Sequence, residues 1–332
     1  MKIEKNFDDI LQLIVVAKEK AVLAVNTELI GLYWNIGKYI SEKVSSSEWG
    51  KVIVKNLSEY IFRKEPDIKG FSSQNLWRMK QFYEIYSANS KLSALLRELS
   101  WTNNLMIFSK ANTEKEREFY IRLAIREKYS SRELERQIDS GIFERVILSD
   151  NKVPAVLREI HPKSQEAFRD NYVLDFLSLP KLFSEKDLRK RIVQNLKEFV
   201  LEFGKDFAFV GEEYRVQVGN KDFYVDLLFF HRNLQCLVAF DLKITDFKPE
   251  YLGKMEFYLE SLDRDVKKEH EGPSVGVILC KNKDTKIVEY ALSRSMSPAM
   301  VSKYETGLID KKLLERKLDE FFQLAENEEY EN

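Results

Sequence analysis

Apolar residues recur every three or four positions along the first 150 residues, the spacing that places them on one face of an α-helix. The pattern continues for about ten turns through residues 7–44. Two further helices follow, and Pro66 and Gly70 separate them. Ser72 or Ser73 is suited to cap the second of these, and another helical pair comes later. Short helices joined by tight turns predict a helix-turn-helix or winged-helix type of domain.

The pattern changes after residue 184. One amphipathic helix is predicted to open at Ser184 and to end at Gly204. Two strands follow around a hairpin turn at 219–221, and a third, almost wholly apolar strand comes next. A helix opening at Pro249, a buried strand, a short helix and an edge strand over 299–305 complete the order. A strand meander followed by a crossover predicts a mixed sheet with helices on both faces, so the fold class is α+β.

Prolines mark a mixed region between these two patterns. We therefore predict a helical, winged-helix-like domain at 1–150 and a linker or domain entry at 151–184. A mixed α/β domain is predicted at 185–325, followed by a solvated acidic tail at 326–332.

Composition narrows the class of protein. The 332 residues suffice for two domains of ordinary size, and the formal net charge of −1 means that any nucleic-acid-binding patch is local. No apolar run is long enough to span a bilayer, and the N-terminus lacks the apolar segment of a signal peptide. Cys236 and Cys280 lie in apolar strands, and the three histidines have no zinc-site spacing. These features predict a soluble, cytoplasmic protein.

Two aspartates interrupt the apolar strands of the segment DFYVDLLFFHRNLQCLVAFDLKI. Because side chains alternate along a strand, Asp241 and Lys243 share one face of the third strand, and Asp226 lies on the second. A meander makes the two strands neighbours, so we expect Asp226 to approach Asp241 and Lys243. Asp222 and His231, near the ends of the second strand, are interpreted as solvated surface residues.

A divalent cation would explain why two carboxylates are placed in a buried sheet. Burying them ionised and unpaired costs several kcal/mol each, about the range for uncompensated buried charge. Mg²⁺ binds oxygen ligands and uses one or two carboxylates, waters and substrate phosphate. A lysine beside such an ion would face the scissile phosphate. A metal ion that activates water and a cation that stabilises the developing charge are the groups that phosphodiester hydrolysis requires. The alternative is that Asp241 and Lys243 form an ion pair at the solvated end of a strand.

The arrangement of Asp226, Asp241 and Lys243 resembles the PD-(D/E)XK nuclease superfamily, whose restriction-endonuclease-like core is a helix, a three-strand meander, a helix and a strand. The block from FAFVGEEYRVQVGNKDFYVDLLFFH to PSVGVILCKNK resembles more closely the YhcG-type bacterial family. GFSSQNLWRMKQFYEIY and ELSWTNNLMIF resemble the N-terminal, winged-helix-like domain of that family. The resemblance covers nearly the whole chain.

The resemblance implies roles for individual residues. Asp226 and Asp241 correspond to the metal-binding acids, and Lys243 to the motif lysine. The implied cofactor is Mg²⁺ or Mn²⁺. An acid is also expected on the first core helix, but Arg189 stands at that position. The acids that could take its place are Glu185, Asp187 and Glu198. On the following helix, Lys254 and Glu256 stand where the resemblance implies a supporting polar side chain, and an ordinary polar helix face is the alternative.

One helix of the N-terminal domain carries the candidate DNA-binding residues. An apolar stripe of Leu76, Met79, Tyr83 and Tyr86 is predicted to face the core. Polar residues occupy the opposite face, where an amide- and cation-bearing helix would fit a major groove: Gln74, Arg78, Lys80 and Gln81. A solvated helix face is the alternative.

Together these observations predict a metal-dependent endonuclease that hydrolyses DNA phosphodiester bonds. Two alternatives stay open, a nuclease acting on RNA and a DNA-binding or assembly protein whose nuclease fold is catalytically inactive. Arg189, in place of the expected acid, is the residue that favours the inactive alternative. A homodimer is predicted by analogy with enzymes that cut two strands.

Overall fold

The computed structural model describes residues 2–46, 50–148, 153–308 and 310–319. The chain divides into two compact units, Met1–Ile138 and Asp139–Asn332. The segment predicted as a linker, 151–184, carries two short α-helices, a strand and a 3-10 helix in its described part. The predicted acidic tail lies outside the described residues.

The first unit is built from helices, as predicted. They are α1 (Lys2–Ser45), α2 (Lys51–Lys64), α3 (Ser73–Tyr86), α4 (Ser90–Leu96), α5 (Trp101–Lys110), α6 (Glu114–Glu127) and α7 (Ser131–Asp139). Ser72 caps α3 by accepting a hydrogen bond from Asn75 N, as the sequence indicates. The described residues of this unit contain no strand that would form the wing of a winged helix.

Helix α3 is the centre of this unit's core. It buries Leu76, Met79, Phe82 and Tyr86. The predicted stripe had Tyr83 in place of Phe82; Tyr83 is half-buried, with its ring edge-on to Trp34 at 5.1 Å. Helix α1 crosses α3 so closely that a Cβ on its Gly37 would lie 2.1 Å from Met79 O.

The second unit combines a six-stranded sheet with helices. Its elements are α8 (Ile142–Leu148), α9 (Ala155–Ile160), α10 (Ser164–Ala167), β1 (Asn171–Val173), α11 (Glu185–Gln194), α12 (Leu196–Phe203), β2 (Phe207–Val218), β3 (Lys221–His231), β4 (Cys236–Leu242), α13 (Glu250–Asp265), β5 (Val275–Cys280), α14 (Thr285–Leu292) and β6 (Ala299–Glu305). The helix predicted from Ser184 to Gly204 is divided into α11 and α12 at Asn195. The Asn195 side chain donates to Arg191 O and competes with the helix's own hydrogen bonds there.

The strand order is β1-β6-β5-β4-β3-β2. Strands β2, β3 and β4 form the predicted antiparallel meander, and β4, β5, β6 and β1 run parallel, so the prediction of a mixed sheet is confirmed. The prediction that residues 299–305 form an edge strand is wrong, because β1 pairs outside β6. With only three residues, β1 is too short to show a period in the sequence.

Helices cover both faces of the sheet and bury its central strands. Helices α11 and α12 pack on one face through Leu188, Ile192, Phe199 and Phe203. Helix α13 packs on the other face, mainly through apolar residues such as Met255 and Leu259. All seven residues of β4 are therefore buried. Cys236 and Cys280 belong to this core, and burial raises the pKa of the Cys236 thiol to about 12 and of the Cys280 thiol to about 11.

Helix length and polarity also bear on membrane insertion. Among the described residues, every helix is either too short or too polar to cross a bilayer.

Candidate active site

Asp226 and Asp241 meet where β3 and β4 separate. The last paired residues of these strands are Leu227 and Phe240, and the two aspartates are the next residue on each strand. The Asp226 side chain fills the gap between the strands, because its Oδ2 accepts a hydrogen bond from Leu242 N at 2.8 Å. The predicted juxtaposition of the two acids thus follows from the register of the meander.

Asp241 is fully buried and lies between two lysines. Lys254 Nζ donates to Asp241 Oδ1 at 2.8 Å, and Lys243 Nζ is 2.8 Å from Asp241 Oδ2. The second contact is an ion pair without hydrogen-bond alignment, and no described residue donates a hydrogen bond to Oδ2. A buried carboxylate oxygen with a lone pair still available is suited to ligate a cation.

Lys243 is held rigidly beside Asp241. Its side chain is 8% exposed, its Nζ donates to Leu242 O at 3.1 Å, and the ammonium lies 5.1 Å from the centre of the Tyr251 ring. Glu185, on α11, approaches the same ammonium at 3.8 Å. The ion pair of the alternative interpretation is present, but the interpretation is wrong about its surroundings, because both Asp241 and Lys243 are buried rather than solvated.

Lys254, one of the predicted supporting residues, projects from α13 towards Asp241. Burial lowers the pKa of Lys254, but the hydrogen bond to Asp241 and the charges of Asp241 and Asp226 outweigh it and raise the pKa above its usual range. The side chain is 45% exposed, so its ammonium also faces solvent. Lys254 is therefore a permanent cation at neutral pH.

Arg189 occupies the position on α11 where an acid was expected. Its Nη1 lies 3.3 Å from Asp226 Oδ1, and its Nη2 lies 2.7 Å from Glu213 Oε1 on β2. Only 12% of the arginine side chain is exposed. Glu213 was missed by sequence reasoning. It lies opposite Asp226 because the β2–β3 hairpin pairs Val218 with Lys221 and keeps that register past Glu213, whose neighbours Glu212 and Tyr214 pair with Leu227 and Val225.

Other predicted supporting residues lie outside this cluster. Asp187 forms a capping box with Ser184 at the start of α11, and the hydrogen bonds from Ser184 lower the pKa of its carboxyl group. Glu198 is half-buried on α12 and forms no hydrogen bond or ion pair with a described residue. Glu256 is exposed and accepts a hydrogen bond from Ser295 Oγ at 2.8 Å.

The two residues interpreted as solvated have different environments. Asp222 is exposed and pairs with Arg215 at 2.9 Å, as expected near a hairpin turn. His231 is buried, contrary to the prediction, because its ring packs edge-on against Phe207 at 4.7 Å. Its Nδ1 accepts a hydrogen bond from Leu234 N at 3.1 Å, so it has a structural role in the turn.

The candidate DNA-binding residues of the first unit share one helix, α3. Gln74, Arg78 and Gln81 are exposed along its outer face. Lys80 differs from them, because its ammonium lies 2.7 Å from both carboxylate oxygens of Glu84. Arg78 is thus the exposed cation of this candidate set.

Comparison with known proteins supports the same division of the chain. Residues 9–145 match the family described as the DUF1016 N-terminal domain, and residues 165–319 match the YhcG PDDEXK nuclease domain. The chain is 32% identical to the Escherichia coli strain K12 protein named "Putative nuclease YhcG", over 92% of this chain and 91% of that protein.

A repair endonuclease from Pyrococcus abyssi is a more distant structural neighbour. The match has 17% identity and a TM-score of 0.27, and covers 39% of this chain and 50% of the other, which is too weak a likeness to bear on the fold. The family match is much stronger, since it extends over both units. The chain belongs to the YhcG family, which carries a C-terminal nuclease domain of the PDDEXK type.

Proposed function

We propose that the protein is a metal-dependent nuclease that hydrolyses phosphodiester bonds in DNA. The observation that carries this proposal is the buried Asp241 carboxylate, which faces Lys243 and Lys254 and keeps one oxygen without a hydrogen-bond donor among the described residues. PDDEXK nucleases generally use divalent metal ions, and the nuclease family favours DNA as the substrate.

The carboxylates of Asp226 and Asp241 fit one divalent cation. Within the described residues, no cluster of three or more His, Cys, Asp or Glu side chains is arranged to hold a metal. Mg²⁺ needs fewer protein ligands than that, since it retains waters and binds substrate phosphate alongside one or two carboxylates. Asp241 Oδ2 and the Asp226 carboxylate would hold the ion, which would supply activation of the attacking water and charge neutralisation at the phosphate.

The residues around the carboxylates would perform the remaining tasks. Lys243, fixed by Leu242 O and the Tyr251 ring, presents its ammonium where negative charge develops on the phosphate. Lys254 is protonated and partly exposed, so it would bind a phosphate oxygen rather than accept a proton. Electrostatic stabilisation by preorganised cations is the main contribution that such a site offers.

The first unit is proposed to bind DNA through α3. Its exposed face presents Gln74, Arg78 and Gln81, which are residue types that contact phosphates and base edges. The helix is capped and firmly packed through Leu76 and Met79, so its outer face is presented by a stable element.

Cleavage assays with matched variants test the proposal. Supercoiled, linear, branched and single-stranded DNA, and RNA, are incubated with Mg²⁺ or Mn²⁺ at low salt, and EDTA is the control. We expect wild-type cleavage of DNA, and rates lowered by about a hundredfold or more in Asp226→Asn, Asp241→Asn and Lys243→Gln. Asp222→Asn, on the same strand as Asp226 but exposed, should leave the rate unchanged.

The other outcomes select between the remaining candidates. Cleavage of RNA alone would identify a ribonuclease with the same site. DNA binding without cleavage of any substrate would favour a catalytically inactive nuclease fold, a candidate that the ion pair between Arg189 and Asp226 supports. Cleavage that persists in Asp241→Asn would place the activity elsewhere.

A further inference from the structure

The two carboxylates that would bind the metal each carry a cation of the protein itself. Arg189 lies 3.3 Å from Asp226, and Lys254 lies 2.8 Å from Asp241. Both contacts use Oδ1. Arg189 therefore occupies an oxygen of Asp226 that the ion could use, and Lys254 places a positive charge on the Asp241 carboxylate, whose other oxygen, Oδ2, would hold the ion. Neither cation belongs to the acid-and-lysine motif that the sequence reveals.

The formal charges around the site favour joint binding of metal and phosphate. Four carboxylates surround it, those of Glu185, Glu213, Asp226 and Asp241, and they face the three cations Arg189, Lys243 and Lys254. The group therefore has a formal net charge of −1. Adding a divalent ion alone makes it +1, whereas adding the ion together with one phosphodiester returns it to zero.

Arg189 and Lys254 each have a second contact besides the aspartate. Arg189 is also bound by Glu213, whose own side chain is 60% exposed and whose backbone has φ of +43°, an uncommon conformation for a residue other than glycine. Lys254 is partly exposed and lies 5.2 Å from the centre of the Tyr258 ring, which gives its ammonium a second partner. A phosphate at the solvent side of the site would attract each of them.

We propose that Arg189 and Lys254 occupy the two carboxylates in the free protein and transfer to the substrate phosphate when nucleic acid binds, so that metal binding depends on nucleic acid. This inference rests on the proposed function, since it concerns the same carboxylates. Both are positioning residues in the free protein, and they become phosphate ligands in the complex. The free protein would therefore have a low affinity for metal, and this affinity would rise when a substrate is bound.

The proposal has a reciprocal consequence. If nucleic acid raises the metal affinity, then metal raises the nucleic-acid affinity by the same factor, because the two binding events share one coupling free energy. Removing either protein cation should weaken this coupling and strengthen metal binding to the free protein, since the ion then meets less competition at the carboxylate and less repulsion.

Calorimetric titration of the full chain with Mn²⁺ tests this directly, without a measurement of activity. We expect Lys254→Gln and Arg189→Gln each to bind Mn²⁺ about tenfold or more tightly than the wild type, and the double variant more tightly still. Lys248→Gln, an exposed lysine just before α13, is the matched control and should leave the affinity unchanged. Asp241→Asn, made in the double variant, should abolish the binding.

A short phosphorothioate DNA duplex is then added before the titration. The wild type should bind Mn²⁺ about tenfold or more tightly with the duplex than without it, and the double variant should gain much less. Equal Mn²⁺ affinities in the wild type and the cation variants would overturn the inference and leave the proposed function standing. Absence of Mn²⁺ binding in every protein, with and without the duplex, would instead contradict the proposed function itself.

Discussion

At the scale of single residues, the main feature of the site is the charge compensation that stabilises the Asp241 carboxylate in the core. It is the one charged residue of β4, and every residue of that strand is buried. Burying a carboxylate without partners costs several kcal/mol, about the range for an uncompensated charge. Lys243 and Lys254, each 2.8 Å away, supply the compensating charge. Replacing either lysine therefore alters stability as well as chemistry.

The pH dependence of stability tests the role of Lys254. Because its pKa is raised in the folded protein, its stabilising contribution is fully present below the unfolded value of about 10.4 and is lost as pH rises through the folded value. The free energy of unfolding should exceed that of Lys254→Gln by a constant amount up to about pH 10, and the difference should shrink above it. Partial exposure limits the difference to about 1 kcal/mol or less.

Urea unfolding of both proteins from pH 7 to 11 provides the measurement. A difference that falls already near neutral pH, or that stays constant to pH 11, would contradict the assignment of Lys254 as a cation paired with Asp241. Lys248→Gln is again the suitable control, because that lysine is exposed.

The residues of the site differ in how far the sequence reveals them. Strand alternation and the meander were enough to predict the proximity of Asp226, Asp241 and Lys243, because these depend only on period and order. Arg189 was noticed only as a departure from a resemblance. Its partner Glu213 depends on the register of the β2–β3 hairpin, which pairs Val218 with Lys221. The three-residue turn predicted at 219–221 would shift this pairing by one residue and place a different side chain opposite Asp226.

At the scale of elements, long periodic segments were predictable and short or interrupted ones were not. The helices of the first unit and the meander of the second have many repeats of their period. Strand β1 has three residues, and its pairing with β6 is set by the whole sheet. The division of α11 from α12 depends on one side chain, Asn195, which competes for main-chain partners. The sequence also does not predict which residues lie where two helices approach each other closely.

The crossing of α1 and α3 gives an element-scale prediction. A Cβ on Gly37 would lie 2.1 Å from Met79 O, and this main-chain atom can move only if α3 moves. Gly37→Ala should therefore destabilise the first unit by about 1–3 kcal/mol. Gly31→Ala, on the same helix, meets nothing within 4 Å and should be neutral or stabilising by up to about 1 kcal/mol.

Tryptophan fluorescence during urea unfolding measures this effect, because all four tryptophans precede residue 139 and report on the first unit alone. Equal stabilities of the two alanine variants would show that α1 and α3 are not packed this closely in solution.

At the scale of the whole molecule, the candidate functions belong to different units. The Asp241 site lies in the second unit, and the exposed face of α3 lies in the first. The family matches follow the same division, with residues 9–145 and 165–319 matching separate domains. The sequence showed this two-part organisation through a change of hydrophobic period, from helical to mixed. Because the net charge is near zero, the proposed affinity for DNA would have to come from local cations.

Binding and cleavage should therefore be separable by single substitutions. Arg78→Gln, on the exposed face of α3, should weaken DNA binding and lower the slope of log affinity against log salt concentration by about 0.9, the value for one lost phosphate contact. The cleavage rate at saturating DNA should stay unchanged, because the Asp241 site is untouched. Asp241→Asn should show the reverse, with cleavage lost and binding retained.

Lys80→Gln is the matched control for this prediction, since it removes the same charge from the same helix. Glu84 already holds the Lys80 ammonium at 2.7 Å, and the ammonium also lies 5.6 Å from the centre of the Trp77 ring, so little of its charge is available to DNA. Fluorescence anisotropy across a salt series should give a clear loss for Arg78→Gln and a small one for Lys80→Gln. Equal losses would mean that α3 acts only through its overall charge, and no loss in Arg78→Gln would place the DNA-binding surface on another helix. In either of these cases the cleavage proposed for the second unit should be unaffected, because the candidate site is built entirely from residues after 138.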